Sequence, residues 1–299
     1  MPTAPVSLSV VVVAYAMERE LPRTLRSLTA PYQRGIERGE CEILVVDNGS
    51  PRPVAETLPA ELASLVHIHR IDDAAPSPAR AANAGLQAAR GDLVGLIVDG
   101  ARMASPGLLA AAGAAARVAP RVVVTAPAWH LGPGLQMHAE AAGYDQTVED
   151  DLLDRAGWEA DGYELFTIAS PAASSARGLF GAMGESSSLF LPRELWAELG
   201  GLDERFALPG GGLVNHDLYR RACDIADARL VVLLGEGTFH QIHGGAATSG
   251  RVTRDEMRAD YEAICGMPHR PPVAVPLYVG SVPRTYLPYL ARSAEQAAP

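Results

Sequence analysis

The sequence predicts an α/β protein: a mostly parallel, twisted sheet flanked by helices, with an irregular insertion and a C-terminal extension. Two observations predict it. Short apolar runs alternate with stretches of helical periodicity, and the connections between them are brief. The runs are also continuously apolar, rich in Val, Ile and Leu, which is the pattern of strands buried on both faces.

LSVVVVAY (8–15) is the first such strand. ELPRTLRSLT follows with Leu21, Thr24, Leu25 and Leu28 on one helical face and arginines on the other. CEILVVDNGS (41–50) is a second strand ending on Asp47-Asn48-Gly49, and LVHIHRID (65–72) a third. PARAANAGLQAAR (78–90) opens on proline and stops before Gly91, as a helix does. DLVGLIVDG then reads as a strand, PGLLAAAGAAARV as a helix and RVVVTAPAW as a strand. From about 130 to 180 the pattern loosens into an acidic, aromatic stretch, expected to cover a site or contact a partner. SSSLFLP restores a strand, RELWAELGG a helix closed by glycine, and VNHDLYRRACDIA a helix with Asn215 as its N-cap. RLVVLLGEG is a strand running into TFHQIHGG. A helix (252–264), a proline-rich stretch (268–276) and an amphipathic terminal segment complete the chain, and RPPVAVPLYVG is expected to drape over a neighbouring subunit in a homodimer.

Composition narrows the function. The 299 residues are 48% hydrophobic, enough for a large core, and the formal charge of −10 argues against a nucleic-acid partner. Cys41, Cys223 and Cys265 are far apart and odd in number, which suits reduced thiols in a cytoplasmic protein. MPTAPVSLSVVVVAY has no basic leader region, and no apolar run reaches a membrane-spanning length.

Three of the apolar strands end in polar signals: Ala14-Tyr15, Asp47-Asn48-Gly49-Ser50 and Asp99-Gly100. Strand ends of an open parallel sheet line one crevice, so two carboxylates are expected to face one site. Taken singly, each has a local alternative: Asp47 could close an Asx-turn with Gly49, and Asp99 could cap the helix near Ser105. GEGTFHQIHGG adds His240 and His243, of which one is expected only to pack. Asp99 could give a divalent ion an oxygen and His243 a nitrogen, leaving positions open for phosphate. Such an ion would let an acidic protein accept a polyanion.

VVVAYAMERELPRTLRSL, EILVVDNGS, ARAANAGLQAARGDLVGLIVD and LFLPRELWAELGGLDERF, in that order, resemble the family 2 glycosyltransferases of GT-A fold over about residues 7–245. The resemblance implies a glycosyltransferase domain over 1–245 and a C-terminal extension over 246–299. Within the domain it implies a nucleotide-binding half (1–100), a flap (130–180) and an acceptor half (181–245). It implies that Ala14 and Tyr15 wall the nucleobase pocket and that Asp47 accepts a hydrogen bond from the base. Arg80 and Asn83 would touch the nucleotide, and Asp99 with Gly100 would open the Asp-x-Asp motif that holds metal and diphosphate. His243 would be the late histidine ligand. The implied activity is metal-assisted transfer, with Mg2+ or Mn2+, of a sugar from a UDP-, dTDP- or GDP-sugar to an acceptor hydroxyl, with inversion, in polysaccharide or natural-product biosynthesis.

The departures matter equally. The motif reads Asp99-Gly100-Ala101, without its second acid, and Arg102 either offsets diphosphate charge or forms a surface ion pair. The base motif reads Val214-Asn215-His216-Asp217-Leu218, so the usual base position is an asparagine. Asp217 and Glu185 are the base candidates; Asp217 could instead serve the helix dipole, and His216 is expected to be exposed or packed. A degenerate sugar-nucleotide or glycan-binding protein is the alternative. A nucleotidyltransferase or Rossmann dehydrogenase would need a glycine-rich loop after the first strand, and AYAMERE has none.

Overall fold

The computed structural model describes residues 7–37, 39–245 and 251–298. The strands in chain order are β1 (Leu8–Ala14), β2 (Cys41–Asp47), β3 (His67–Arg70), β4 (Leu93–Ile97), β5 (Arg102–Ala104), β6 (Val122–Thr125), β7 (Ala128–Leu131), β8 (Ala169–Pro171), β9 (Leu189–Pro192), β10 (Arg229–Leu234), β11 (Thr238–His240) and β12 (Leu277–Gly280). Eight form the main sheet in the order β12-β10-β6-β9-β4-β1-β2-β3, and four form a second sheet, β5-β11-β7-β8. The main sheet is parallel except for β9, which runs antiparallel between β4 and β6.

Alternation along β1 explains why its run is apolar throughout. Val11 and Val13 enter the core on one face, while Leu8, Val10, Val12 and Ala14 enter the core on the other. Full burial of each such valine is worth roughly 1.5–3 kcal/mol. Helix Ala79–Ala88 lies across β1 and β2 at Gly85, where an added Cβ would run into Val11 and Val46. Helix Arg193–Leu199 ends on Gly200 in the left-handed region (φ 74°), which a side chain would disfavour.

Several expectations are corrected. The strand expected through Asp99 ends at Ile97, and the chain re-enters almost at once as β5. RVVVTAPAW is two strands in different sheets, because Pro127 between them has no amide hydrogen for a ladder. Residues 130–180 hold helices Gln136–Ala141 and Gln146–Ala156 together with β8, so the insertion builds part of the second sheet. Asn215 is the second residue of helix Val214–Cys223, whose N-cap is Leu213 with no side-chain cap.

Within RPPVAVPLYVG, Val273 and Val275 are exposed and Leu277–Gly280 forms a strand. β12 adds to the main sheet beside β10, and Tyr286 and Tyr289 are buried against Trp129, with Tyr289 4.5 Å from its ring centre. The expected division at 245 abuts residues 246–250, which lie outside the described residues. No helix among the described residues is long and apolar enough to cross a membrane.

Candidate active site

Two crossings bring distant residues to one place. Parallel pairing puts Ala14 opposite Asp47 and Val12 opposite Ile97, so β1, β2 and β4 end at one edge of the main sheet. In the second sheet, β11 runs between β5 and β7 with His240 in register with both Arg102 and His130. The turn from β4 to β5 carries Asp99. Gly100 in that turn presses on the end of β1: a Cβ there would lie 3.1 Å from Met17 Sδ and 3.2 Å from the Val13 carbonyl oxygen.

Asp99 Oδ1 accepts from the backbone N–H of Ala101 (2.9 Å), so it does not cap the helix beyond Ser105. Its Oδ2 lies 2.7 Å from His240 Nε2 and 3.3 Å from His243 Nε2, and the two imidazole nitrogens are 3.0 Å apart. Burial alone would raise the Asp99 carboxyl, but His243 and His240 outweigh it and hold it well below the usual carboxylate range. Burial pushes His240 down to about 4, so it is neutral at pH 7, whereas Asp99 overcomes burial and raises His243.

This donor set fits a divalent cation. Two Nε2 atoms and a carboxylate oxygen converge, and they lie within 4.8 Å of one another. Both Nε2 atoms lie within 3.3 Å of Asp99 Oδ2 and 3.0 Å of each other, so a single cation could take a lone pair from each of the three groups. One of the two histidines was expected only to pack, but His240 and His243 both lie in the cluster with Asp99. The signal for His240 was positional: it ends the strand-like TFH, whose pairing with β5 the sequence does not display.

The histidine loop is fastened from four sides. Gln241 donates its backbone N–H to the Ala101 carbonyl (2.8 Å) and its side-chain amide to the Glu20 carbonyl (3.1 Å). Gln136 donates to the His240 carbonyl (3.1 Å), and the Ile242 N–H donates to Glu149 Oε2 (2.9 Å). Glu149 comes from the insertion, is fully buried, and also meets Arg19 and Tyr144. Burial pushes its carboxyl up to about 7, against the Ile242 N–H, Arg19 and Tyr144. Because the folded value exceeds the unfolded one near 4.3, Glu149 contributes stability at low pH that is lost as pH rises towards 7. Urea unfolding should therefore show stability declining from about pH 4.5 to 7, and a flatter profile for Glu149→Gln. Equal slopes in both proteins would refute this role.

Beyond the triad lie further polar groups. Arg102 is 14% exposed, its Nε 3.9 Å from Asp99 Oδ2, and its Nη1 is buried without a hydrogen-bond partner. Burial holds His130 down to about 3, hence neutral; its Nδ1 accepts from the Gln136 N–H (3.0 Å) and its ring centre is 5.6 Å from that of His240. Glu185 feels burial, but His216, Arg102, Ser174 and His130 hold its carboxyl below the ordinary value. Its Oε2 is 3.5 Å from His216 Nδ1.

Other expected site residues are engaged elsewhere. Asp47 is wholly buried, accepting from the backbone N–H of Ser50 (2.8 Å) and Val54 (3.1 Å) and from Arg70 Nη1 (2.7 Å). These bonds shape the loop after β2, with the turn closed by the Ser50 N–H rather than at Gly49. Asp217 is 2% exposed, with Arg221 at 2.6 Å and Arg220 at 3.1 Å. Its carboxylate is thus engaged by two guanidinium groups of its own helix. Asn83 exchanges hydrogen bonds with the Leu202 backbone (2.8 and 2.9 Å) and is a brace for that loop, while Arg80 pairs with Asp73 at the surface (3.2 Å). Ala14 is buried, its carbonyl accepting from the Asn48 N–H (2.8 Å), and Tyr15 beside it is 54% exposed.

The family model for glycosyl transferase family 2 matches residues 9–110. No curated protein matches the chain in sequence. Among solved structures, S. aureus TarS 1-349 in complex with UDP-GlcNAc is similar with a TM-score of 0.56 and 14% identity, over 86% of this chain and 66% of that one. The mannosyltransferase PcManGT from Pyrobaculum calidifontis, in complex with GDP-Man and Mn2+, gives 0.53 and 16%, over 99% of this chain and 72% of that one. The chain spans 43% of the longer S. aureus TarS structure, at a TM-score of 0.54 and 13% identity. The matched residues supply β1, β2 and β4, the Asp99 turn and β5, so the likeness to glycosyl transferase family 2 covers the first third of the chain, while the likeness to TarS and PcManGT extends in fold over most of it.

Proposed function

We propose that this chain transfers a sugar from a nucleotide-diphosphate donor to an acceptor hydroxyl, with the diphosphate held at Asp99, His240 and His243 through a divalent cation. The observation that carries the reading is the convergence of those three lone pairs at the edge where β4 and β11 end. PcManGT in complex with GDP-Man and Mn2+, on a similar fold, supports it. When bound, the cation acts as a Lewis acid on the departing diphosphate. Two imidazoles and one carboxylate favour Mn2+ over Mg2+, because magnesium prefers oxygen ligands throughout.

The chain's own residues supply the rest. Arg102, with Nε 3.9 Å from Asp99 Oδ2 and a buried Nη1 without a hydrogen-bond partner, stands in for the missing second acid by neutralising diphosphate charge directly. Tyr15, exposed at the end of β1, offers a ring face to the nucleobase. The acceptor approaches from the Glu185 side, opposite the leaving group, so a single displacement inverts the anomeric centre.

Thermal unfolding with UDP, GDP or dTDP, with and without Mn2+, tests the reading. One nucleotide at 100 times its Kd should stabilise the protein by about 2.7 kcal/mol. The stabilisation should vanish on adding EDTA and be smaller with Mg2+. No stabilisation by any of the three would overturn the proposal, and stabilisation without turnover of any donor would favour a degenerate binding protein.

A further inference from the structure

We propose that the base for the acceptor hydroxyl is the imidazole of His216, oriented by Glu185, a dyad that takes over from the asparagine at the family's usual base position. The inference rests on the reading above and deepens it. Asn215 has no proton-accepting side chain, and Asp217 is sealed by Arg220 and Arg221. Glu185 and His216 come from different elements, the loop ahead of β9 and the first turn of helix Val214–Cys223, and only the fold joins them. His216 Nδ1 faces Glu185 Oε2 at 3.5 Å, an ion-pair distance rather than a formed hydrogen bond. Such contacts in a ligand-free site commonly tighten when substrate binds. His216 Nε2 has no hydrogen-bond partner among the described residues and is not among the buried orphan atoms, so with a side chain 24% exposed it is the nitrogen left open to an incoming hydroxyl. One ring nitrogen on a carboxylate and the other free is the arrangement that makes an imidazole a base and stabilises it once protonated.

The surroundings fit the role. His269, from the chain after helix Arg254–Cys265, meets the His216 ring edge-on at 4.9 Å, and burial holds it down to about 4, so it packs as a neutral ring. The charge of Arg102 of β5 and the ring of His130 of β7 also act on Glu185, and Asp217 and Arg220 on the dyad's own helix are paired with each other. Arg102 also lies beside Asp99, so one guanidinium spans from the leaving group's cluster to the dyad. In the step, the acceptor O–H bond breaks and its proton passes to His216 Nε2. The acceptor oxygen bonds to the anomeric carbon, and the bond from that carbon to the diphosphate oxygen breaks, its electron pair leaving on the nucleotide diphosphate. The imidazolium, held by Glu185, later loses its proton to solvent.

The test uses the full chain with Mn2+ and either UDP-GlcNAc or GDP-Man, water serving as acceptor, and follows release of UDP or GDP against pH. His216→Gln should lower kcat about 10²-fold, abolish the rise of kcat with pH, and leave KM and nucleotide-induced thermal stabilisation unchanged. Glu185→Gln should lower kcat with KM and nucleotide-induced thermal stabilisation unchanged, because the imidazolium formed in the step loses its carboxylate. In His216→Ala, added imidazole should restore turnover, which a merely structural role would not allow. His216→Gln within threefold of the unsubstituted protein, or no rescue by imidazole, overturns the dyad. Nucleotide binding with no hydrolysis of either donor also overturns it while leaving nucleotide binding intact. No nucleotide binding at all fails the underlying reading instead.

Discussion

Asp99→Ala is expected to lower donor turnover by at least about 10²-fold and to remove its dependence on Mn2+, with little change in the unfolding temperature. Asp99 supplies the only carboxylate oxygen in the triad and the charge that draws in both histidines. Without it, two Nε2 atoms 3.0 Å apart must hold a divalent cation with no counter-charge. If the proposed cation is held there, losing one ligand of three would remove its support of the leaving group, and losing such electrostatic stabilisation typically costs 10²–10³ in kcat. Asp99 lies at the surface edge of the fold, 22% exposed, which is why stability should survive. Steady-state rates over a Mn2+ titration decide it: a variant with undiminished metal dependence would show that the cation sits elsewhere.

Asp47→Ala should act in the opposite way, lowering stability far more than it perturbs chemistry. The carboxylate accepts two backbone N–H bonds and the Arg70 guanidinium while fully buried. Alanine would leave those donors, one of them charged, without a partner, at a cost of about 3 kcal/mol. At roughly 2–4 °C per kcal/mol for a domain of this class, the unfolding temperature should fall by about 6–12 °C. Burial opposes ionisation here, but Ser50, Val54 and Arg70 prevail and keep the folded carboxyl below its usual value. Its contribution is therefore present above about pH 4 and lost as pH falls through the folded value. A calorimetric scan showing no change in Asp47→Ala, with nucleotide affinity sharply reduced, would return Asp47 to the nucleobase pocket.

How much of the site could be read from the chain differs from residue to residue. Asp99 was legible as a candidate because it closes an apolar run at an edge where parallel strands deliver ligands, and His243 because it belongs to a histidine pair after the last such run. The clamp on Asp217 was legible too, though easily overlooked: Arg220 and Arg221 follow at three and four residues, the spacing that places partners on one helix face. Asp47 carried two readings that only Arg70, arriving from β3, could separate. His240 and Arg102 belong to strands of three residues each, too short for any periodicity, and their register exists only as a pair. Glu149 lies in a stretch with no helical face obvious in sequence, yet the helix holding it fastens the histidine loop.

The amino-acid sequence by itself determined the layers and the polarity of this protein. Local hydrophobic period decides strand or helix, and strands buried on both faces must lie in a covered, mostly parallel sheet whose ends define one working edge. Tertiary structure alone decided which polar groups at that edge are free and which are spent on the fold. A carboxylate's role depends on the donors that reach it, and those donors come from residues 23 to 141 positions away: Arg70 for Asp47, His240 for Asp99, His216 beside Glu185. Hydrogen bonds and ion pairs act over a few ångströms of space whatever the separation along the chain, so chemistry at this edge was settled by packing.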